Sequence, residues 1–554
     1  MLVLGVVLRR ACRLGIGHDG DVRSYPIDGS WVNVTPLHYR GVAVHLLPTL
    51  MSDLQPTNLL FICSDEHTRK ALGCYGAAHV RTPNLDALAA RGTLFQNGYT
   101  NTPICVPARA CLATGRYAHK IDSWDNATPY VGTEAPSWGH RLTEQGHRVT
   151  TIGKLHYRKT ADPSGFPDQR LPMHVLGGVG DLYGLLRGEM PVRPASRQHV
   201  LEAVPGESEY TRYDAAIAGE AVRWLRDEGA RGRAGERWMT DGGGGERAKP
   251  WALFVSFVEP HFPLQAPEEY LRQYPPESLP LPVNWHPDDW PRHPVIEAKR
   301  RQQALDTPFD EQEIRAALAT YYAMVTLLDH QIGLVLGALR EAGLEESTRI
   351  IYTTDHGDMM GEHGLWWKSV MYEGACAVPL LLAGPDVPVG KTVNTAVSLV
   401  DCFPTIVEAV GADLTPEDAS LDGRSLLQIA CEPDAERTVL SEYHAIFSPS
   451  AMFMLRVGRH KYVEYVGFQP QLFDLDADSD ETRDLAADLA HAVTLAACAA
   501  ELRRVLAPET PESVDARAQA DQRRRIEGAG GVEAVLAGGV KIPFTPAPTE
   551  FGAS

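Results

Sequence analysis

Residues 105–116 read CVPARACLATGR. Cys105 and Cys111 do not have zinc spacing, because no second close pair accompanies them. A proline fits the first position of a helix, where its missing N–H costs nothing. The spacing therefore predicts a helix entered at Pro107, with Cys105 at its N-terminus and Arg109 on the first turn facing the same way. Backbone N–H groups, the helix dipole and a guanidinium then converge on one point, which suits an anion or an activated residue.

In open α/β sheets ligands bind beyond the carboxyl ends of the strands, so the residues that follow each apolar run carry information. NLLFICS is followed by Asp65-Glu66-His67, and RVTTIG by Lys154-Leu-His156. WALFVSF leads to His261, and RIIYTT is followed by Asp355-His356-Gly-Asp358. Each alone has an ordinary reading: a helix N-cap, a structural histidine, a solvated lysine, a turn. Their coincidence at one rim carries the weight. Asp65, Asp355 and His356 offer hard oxygen ligands and one imidazole to a divalent cation. Arg109, Lys154, His156 and His261, joined by Lys368 of GEHGLWWK, supply positive charge and proton donors to an oxyanion and a leaving group. The set reads as a metal-assisted site for displacement at a tetrahedral anion, sulfuryl or phosphoryl.

The elements that must position these residues alternate. Helices fit TPNLDALAARG, PSWGHRLTEQG, YTRYDAAIAGEAVRWLRDEG and, longest, DEQEIRAALATYYAMVTLLDHQIGLVLGALREAG, with apolar strands between them. This order predicts an α/β fold with a large mixed, mostly parallel sheet and helices on both faces. A Gly-rich stretch at 229–250 reads as a surface insertion. The expected organisation is an N-terminal extension over 1–50, poorly ordered, then a catalytic domain over 51–430. A small α+β subdomain with an antiparallel sheet follows over 431–507, where MFMLRVGRHKYVEYV and QLFDL read as strands, and a tail covers 508–554. The tail reads as a flexible end or as an arm for a neighbouring subunit, the route to a homo-oligomer.

With 554 residues the chain can bury a sizeable core, and a net charge of −19 without any basic stripe argues against nucleic-acid binding. Nine scattered cysteines fit a reducing, cytoplasmic compartment better than a disulfide framework. The first residues do not have the order of a secretory signal, and no run of about 20 apolar residues predicts a membrane span.

Cys105, Pro107, Arg109, Leu112, Thr114, Gly115 and Arg116 together resemble the signature of the formylglycine-dependent sulfatases, which are related in fold to alkaline phosphatase. TPNLDALAARGTLFQNGY, GKLHY, DHGDMMGEHGLWWK, VPLLLAGP and DCFPTIVEAVGA are similar to further family stretches, and the resemblance runs over about 57–490. It implies that a formylglycine-generating enzyme oxidises Cys105 to Cα-formylglycine. Hydration then gives two hydroxyls, one to attack sulfur and one to expel sulfate by elimination. An ordinary Ser or Cys nucleophile has no second hydroxyl and would be left as a covalent ester. It further implies that Asp65, Asp355, His356 and residue 105 bind one divalent ion, and that Arg109 and Lys154 hold the diol, the metal site and the sulfate oxygens. His156 would act on the diol proton, while His261 and Lys368 would face the sulfate and the leaving oxygen.

Two positions depart from the common pattern. Glu66 stands where a second acid or amide ligand is frequent and is a weaker candidate ligand. Asp355-His356 replaces the frequent Asp-Asn, which looks more like the choline-sulfatase and phosphonate-monoesterase branches and leaves Ca²⁺ and Mn²⁺ both open. Trp124, Trp366 and Trp367 are candidates for a leaving-group pocket, with core packing the more common use of such side chains. The expected activity is hydrolysis of a small-molecule sulfate ester, with phosphonate monoester or phosphodiester hydrolysis as the alternative. An inactive, binding-only relative would lack one of Cys105, Arg109, Lys154 or Asp355, and all four are present.

Overall fold

The computed structural model describes residues 23–27, 30–34, 54–187, 191–234, 249–539 and 544–548. Within the expected N-terminal extension, Arg23–Ile27 pairs antiparallel with Ser30–Val34, an element the sequence pattern did not announce; this hairpin belongs to a unit of its own, Met1–Leu54. Most of the Gly-rich insertion lies outside the described residues.

From Gln55 onward the chain forms one unit. Its large sheet comprises β1 (Asn58–Ser64), β2 (Gly92–Phe95), β3 (Val149–Lys154), β4 (Asp168–Met173), β5 (Ala252–Ser256), β6 (Thr348–Thr354), β7 (Leu380–Ala383) and β8 (Lys391–Val393). Their spatial order is β8-β2-β7-β6-β1-β5-β3-β4, and β7 alone runs against its neighbours. The strands β6, β1, β5 and β3 are consecutive and parallel, in a register that levels Thr354 with Ser64 and both Cys63 and Gly153 with Ser256. The four polar strand ends read from the sequence therefore meet at one place. Both faces of β1 and β6 are covered, which is why they read as unbroken apolar runs rather than as alternating ones.

One face of the sheet packs against α2 (Glu209–Ala234) and α3 (Glu311–Glu341) through Leu60, Ile62 and Ile350. The helix α3 starts at a capping box in which Asp310 and Glu313 satisfy each other's backbone N–H groups. It is long and apolar enough to cross a bilayer, but 78% of its most apolar window is buried inside the protein, so it is a core helix. The helix Cys402–Val410 and the aromatic pair Phe61–Phe254 lie on the opposite face.

A second sheet of four antiparallel strands, β9 (Val439–Tyr443), β10 (Met452–Val457), β11 (His460–Tyr465) and β12 (Gln471–Asp474), carries α4 (Ala492–Leu506). It is a layer of the same unit, anchored by charges buried between the two sheets. Lys461 lies 3.1 Å from Glu373 and 2.8 Å from Glu481, and Arg69 lies 2.6 Å from Glu373. The expected free tail is instead two helices, α5 (Pro511–Gly528) and α6 (Val532–Gly538), docked on this same chain. Asp515 meets Arg187 at 2.8 Å, and the Gln522 amide donates to Asp125 at 3.0 Å and to the His444 carbonyl at 2.8 Å.

Removing one partner of a buried pair strands the other charge. Lys461→Met is expected to lower stability by about 3–5 kcal/mol, read as a drop in melting temperature. Glu481→Gln should cost less, because burial already pushes the Glu481 carboxyl up to about 7 against the pull of Lys461. A Lys461→Met protein that melts with the wild type would show that the charges do not anchor the small sheet.

Candidate active site

The helix α1 spans Cys105–Thr114, so it begins at Cys105 itself with Pro107 still in its first turn, two residues earlier than the spacing predicts. All ten residues are buried. Gly115 ends the helix in the left-handed conformation (φ 65°), where a Cβ would stand 2.7 Å from that of Phe403. Cys105 and Arg109, four apart, share the face that meets the strand ends.

Arg109 is 3% exposed and touches all four of those ends. Its Nε donates to Asp355 Oδ2 at 2.8 Å beyond β6, and one Nη donates to Asp65 Oδ2 at 2.9 Å beyond β1. The other Nη donates to the Lys154 carbonyl of β3 at 2.8 Å and to Ser256 Oγ of β5 at 2.9 Å. Lys154 reaches the same Asp65 oxygen at 2.6 Å. It is aimed there by a bulge at Gly153 (φ 98°), where a Cβ would fall 2.2 Å from the Ser256 carbonyl oxygen. Burial alone would raise the Asp65 carboxyl; Lys154 and Arg109 overcome it and hold that group well below the usual carboxylate range.

With the Oδ2 atoms committed to cations, the Oδ1 atoms of Asp65 and Asp355 face His356 Nε2, at 3.9 and 3.8 Å. Cys105 Sγ lies 3.2 Å from that nitrogen and 3.8 Å from Asp65 Oδ1. One ligand atom from each of Asp65, Cys105, Asp355 and His356 falls within 4.8 Å of the others. His356 Nδ1 lies 3.1 Å from the Gly357 carbonyl, an acceptor that fixes the proton on Nδ1 and leaves the Nε2 lone pair for a cation. Two carboxylate oxygens, one imidazole and the residue-105 atom thus fit a divalent ion. Glu66 stands beside this group rather than in it, clustering instead with Asp65 and His261. Its Oε2 accepts from Lys368 Nζ at 2.6 Å, and its buried Oε1 has no partner among the described residues.

Lys368 Nζ also donates to His261 Nε2 at 2.7 Å, while His261 Nδ1 bonds the Phe262 carbonyl at 2.8 Å, so the ring is neutral. Burial, reinforced by Lys368, keeps His261 well below the ordinary histidine range, and burial pushes the Glu66 carboxyl well above its own despite Lys368. His156 is held low by burial and by Lys154; its Nε2 is 2.8 Å from Thr545 Oγ1, and its buried Nδ1 has no partner among the described residues. Glu66 (φ 62°), His156 (φ 59°) and Trp367 (φ 67°) all adopt the left-handed backbone region that non-glycine residues avoid, and strain of this kind collects at functional sites.

A cavity of about 660 Å³ opens over Cys105, Lys154, His156, His261 and Lys368. Of the three candidate tryptophans only Trp367 lines it, tilted at 60° to Phe262 with ring centroids 4.7 Å apart. Trp124 packs against His444 under Arg517, and Trp366 belongs to the core around Phe309, because burying a large apolar surface is the commoner use of the side chain. The sequence reading missed Ser256, His199, Tyr210 and Phe544. Ser256 closes β5 and had the same strand-end signal as the others, while the remaining three had none.

The profile of the sulfatase family matches residues 57–412, and that of the N-sulphoglucosamine sulphohydrolase C-terminal region matches 361–507. Choline-sulfatase of Rhizobium meliloti is 30% identical over 84% of this chain and 90% of its own length. Arylsulfatase K of Bos taurus is 30% identical over 78% of each chain. The crystal structure of phosphonate monoester hydrolase of Agrobacterium radiobacter superposes with a TM-score of 0.62 at 25% identity, covering 83% of this chain and 96% of that one. The chain belongs to the sulfatase family, whose members hydrolyse sulfate esters.

Arg109→Met would leave two buried carboxylates without their shared counter-charge. It is expected to cost about 3–5 kcal/mol of stability, and Arg109→Lys, which keeps charge but cannot reach four strand ends, less. Calorimetry that finds Arg109→Met melting at the wild-type temperature would refute the clamp.

Proposed function

We propose that this sulfatase-family enzyme cleaves a small-molecule sulfate monoester using Cα-formylglycine at position 105 and one divalent ion. One observation carries the reading. Cys105 lies at the head of a buried helix, within reach of His356 and Asp65, yet burial and the Asp65 charge push its thiol up to about 11, which makes it a poor thiolate nucleophile. Its Sγ stands where the oxygens of the modified side chain would be. The hydrated aldehyde would supply the attacking and the releasing hydroxyl, and the ion, Ca²⁺ or Mn²⁺, would supply positive charge to the sulfate oxygens.

The chain's own residues do the rest. Arg109 fixes the two metal-facing carboxylates, and Lys154 adds charge beside them without titrating Asp65 away from its anionic form. Lys368 presents Nζ–H to the leaving oxygen, with Glu66 Oε2 and His261 Nε2 behind it to hold the ammonium in place. His156 offers Nδ1 to a proton at residue 105. Aromatic and aliphatic walls, among them Trp367, Phe262 and Ile446, suit an alcohol with an apolar body. Phosphonate monoesters share the tetrahedral geometry, and the fold shared with the Agrobacterium radiobacter hydrolase supports them as the second reading. The cysteines among the described residues are all free, which supports a reducing, cytoplasmic location.

In protein from its native host, the tryptic peptide Gly92–Arg109 should be lighter than its cysteine form and react with hydrazides, and Cys105→Ala should abolish turnover. An active enzyme whose peptide carries only cysteine would overturn the formylglycine reading. Paired aryl sulfate and aryl phosphonate substrates, compared by kcat/KM, separate the two ester classes. Elemental analysis should find one divalent ion per chain, lost in Asp355→Asn and in His356→Ala; retention in both variants would place the ion elsewhere.

A further inference from the structure

Residues 544–548 reach the cavity from beyond α6. Phe544 and Thr545 line it opposite Lys154 and His261, together with Val535 of α6. The Tyr210 hydroxyl donates to the Thr545 carbonyl. The Phe544 ring packs against Tyr210, His199 and Phe262 at centroid distances of 5.3, 6.0 and 6.3 Å, and Ala547 is buried in the core beneath α2 and α3. The segment 544–548 is thus built into the site by aromatic packing and hydrogen bonding.

Its one polar contact with the catalytic groups is specific. His156 has its backbone fixed by donation from its N–H to the Met173 carbonyl at 2.8 Å, and among the described residues its ring is hydrogen-bonded by Thr545 Oγ1 alone, at 2.8 Å on Nε2. A threonine hydroxyl both donates and accepts. It accepts from Nε2–H both while Nδ1 is free and after Nδ1 has taken a proton, and it can donate to Nε2 in the other neutral tautomer, in which Nδ1 alone carries hydrogen. A bond that survives each protonation state of the ring keeps it in place as a proton moves.

We propose that Thr545 is a positioning residue for His156, and that Phe544-Thr545 form the wall that closes the cavity over it. The kinetic part rests on the hydrolase reading above; the shielding of His156 does not. Thr545→Val keeps the shape and removes the hydroxyl, and Thr545→Ser restores it. With 4-nitrophenyl sulfate as probe, Thr545→Val should lower kcat about tenfold with little change in KM and should move one limb of the kcat pH profile. Thr545→Ser should stay within about twofold of the wild type. Independently of turnover, diethyl pyrocarbonate should label His156 several-fold faster in full-length Phe544→Ala/Thr545→Val than in the wild type, read by peptide mass spectrometry. A Thr545→Val enzyme with wild-type kcat and pH profile would remove the positioning role. Equal labelling of His156 in the double variant would show that the segment does not cover it, whether or not the enzyme turns over any sulfate.

Discussion

One guanidinium holds the working end of the large sheet together. Parallel strands deliver their last residues to a common rim but do not by themselves fix the distance between those residues. Arg109, rising from α1 on the far side, hydrogen-bonds to the ends of β6, β1, β3 and β5 at once. Its planar fork has enough donors for this, and a lysine ammonium on a flexible stem does not. Placing a buried cation between two buried acids also solves an electrostatic problem. Asp65 and Asp355 would repel each other, and the arginine placed between them pairs with one oxygen of each and leaves the other turned toward His356.

The same balancing recurs outward. Glu66 is buried against Lys368, and Lys368 leans on a histidine whose lone pair is free because its other nitrogen is tied to a carbonyl. Nearly every charge in the site has a counterpart whose geometry leaves one atom over. Asp65 Oδ1, His356 Nε2 and His156 Nδ1 are the atoms left to face residue 105 or the cavity, while Asp355 Oδ1, which also faces His356 Nε2, accepts from the backbone N–H groups of Glu66 and His356. Glu66, His156 and Trp367 keep the left-handed backbone in this setting, where surrounding buried contacts can hold a conformation that non-glycine residues avoid.

Much of this was legible in the sequence, for a physical reason. Buried parallel strands are apolar throughout, so the polar residue that ends each run stands out, and four such endings located Asp65, Lys154, His261 and Asp355 before any coordinates. The start of α1 was displaced by two residues because proline is accepted anywhere in a first turn, not only at its first position. The C-terminal arm was misread for a different reason. Its buried stripe, Val514, Ala518, Gln522 and Ile526, has a spacing of four, but it is thin and interrupted by the polar Gln522, and a stripe does not say what covers it. The residues that reach the cavity from elsewhere, His199, Tyr210 and Thr545, lie far from it in sequence and end no strand. Trp124 and Trp366 showed the opposite limit, since an aromatic side chain looks the same in sequence whether it lines a pocket or fills a core.

The complete burial of α1 sets a schedule. Cys105 is 2% exposed, at the floor of the cavity beyond the ends of strands that include β5 and β6, both made long after it. No second protein can reach that side chain once those strands have closed around it. At about 5–20 residues per second of synthesis, the interval between the appearance of Cys105 and that of β6 is on the order of ten to fifty seconds. Chemistry done to Cys105 by another enzyme therefore belongs to the nascent chain, and a ribosome that outruns that enzyme yields a correctly folded protein whose unaltered thiol only small molecules reach through the cavity.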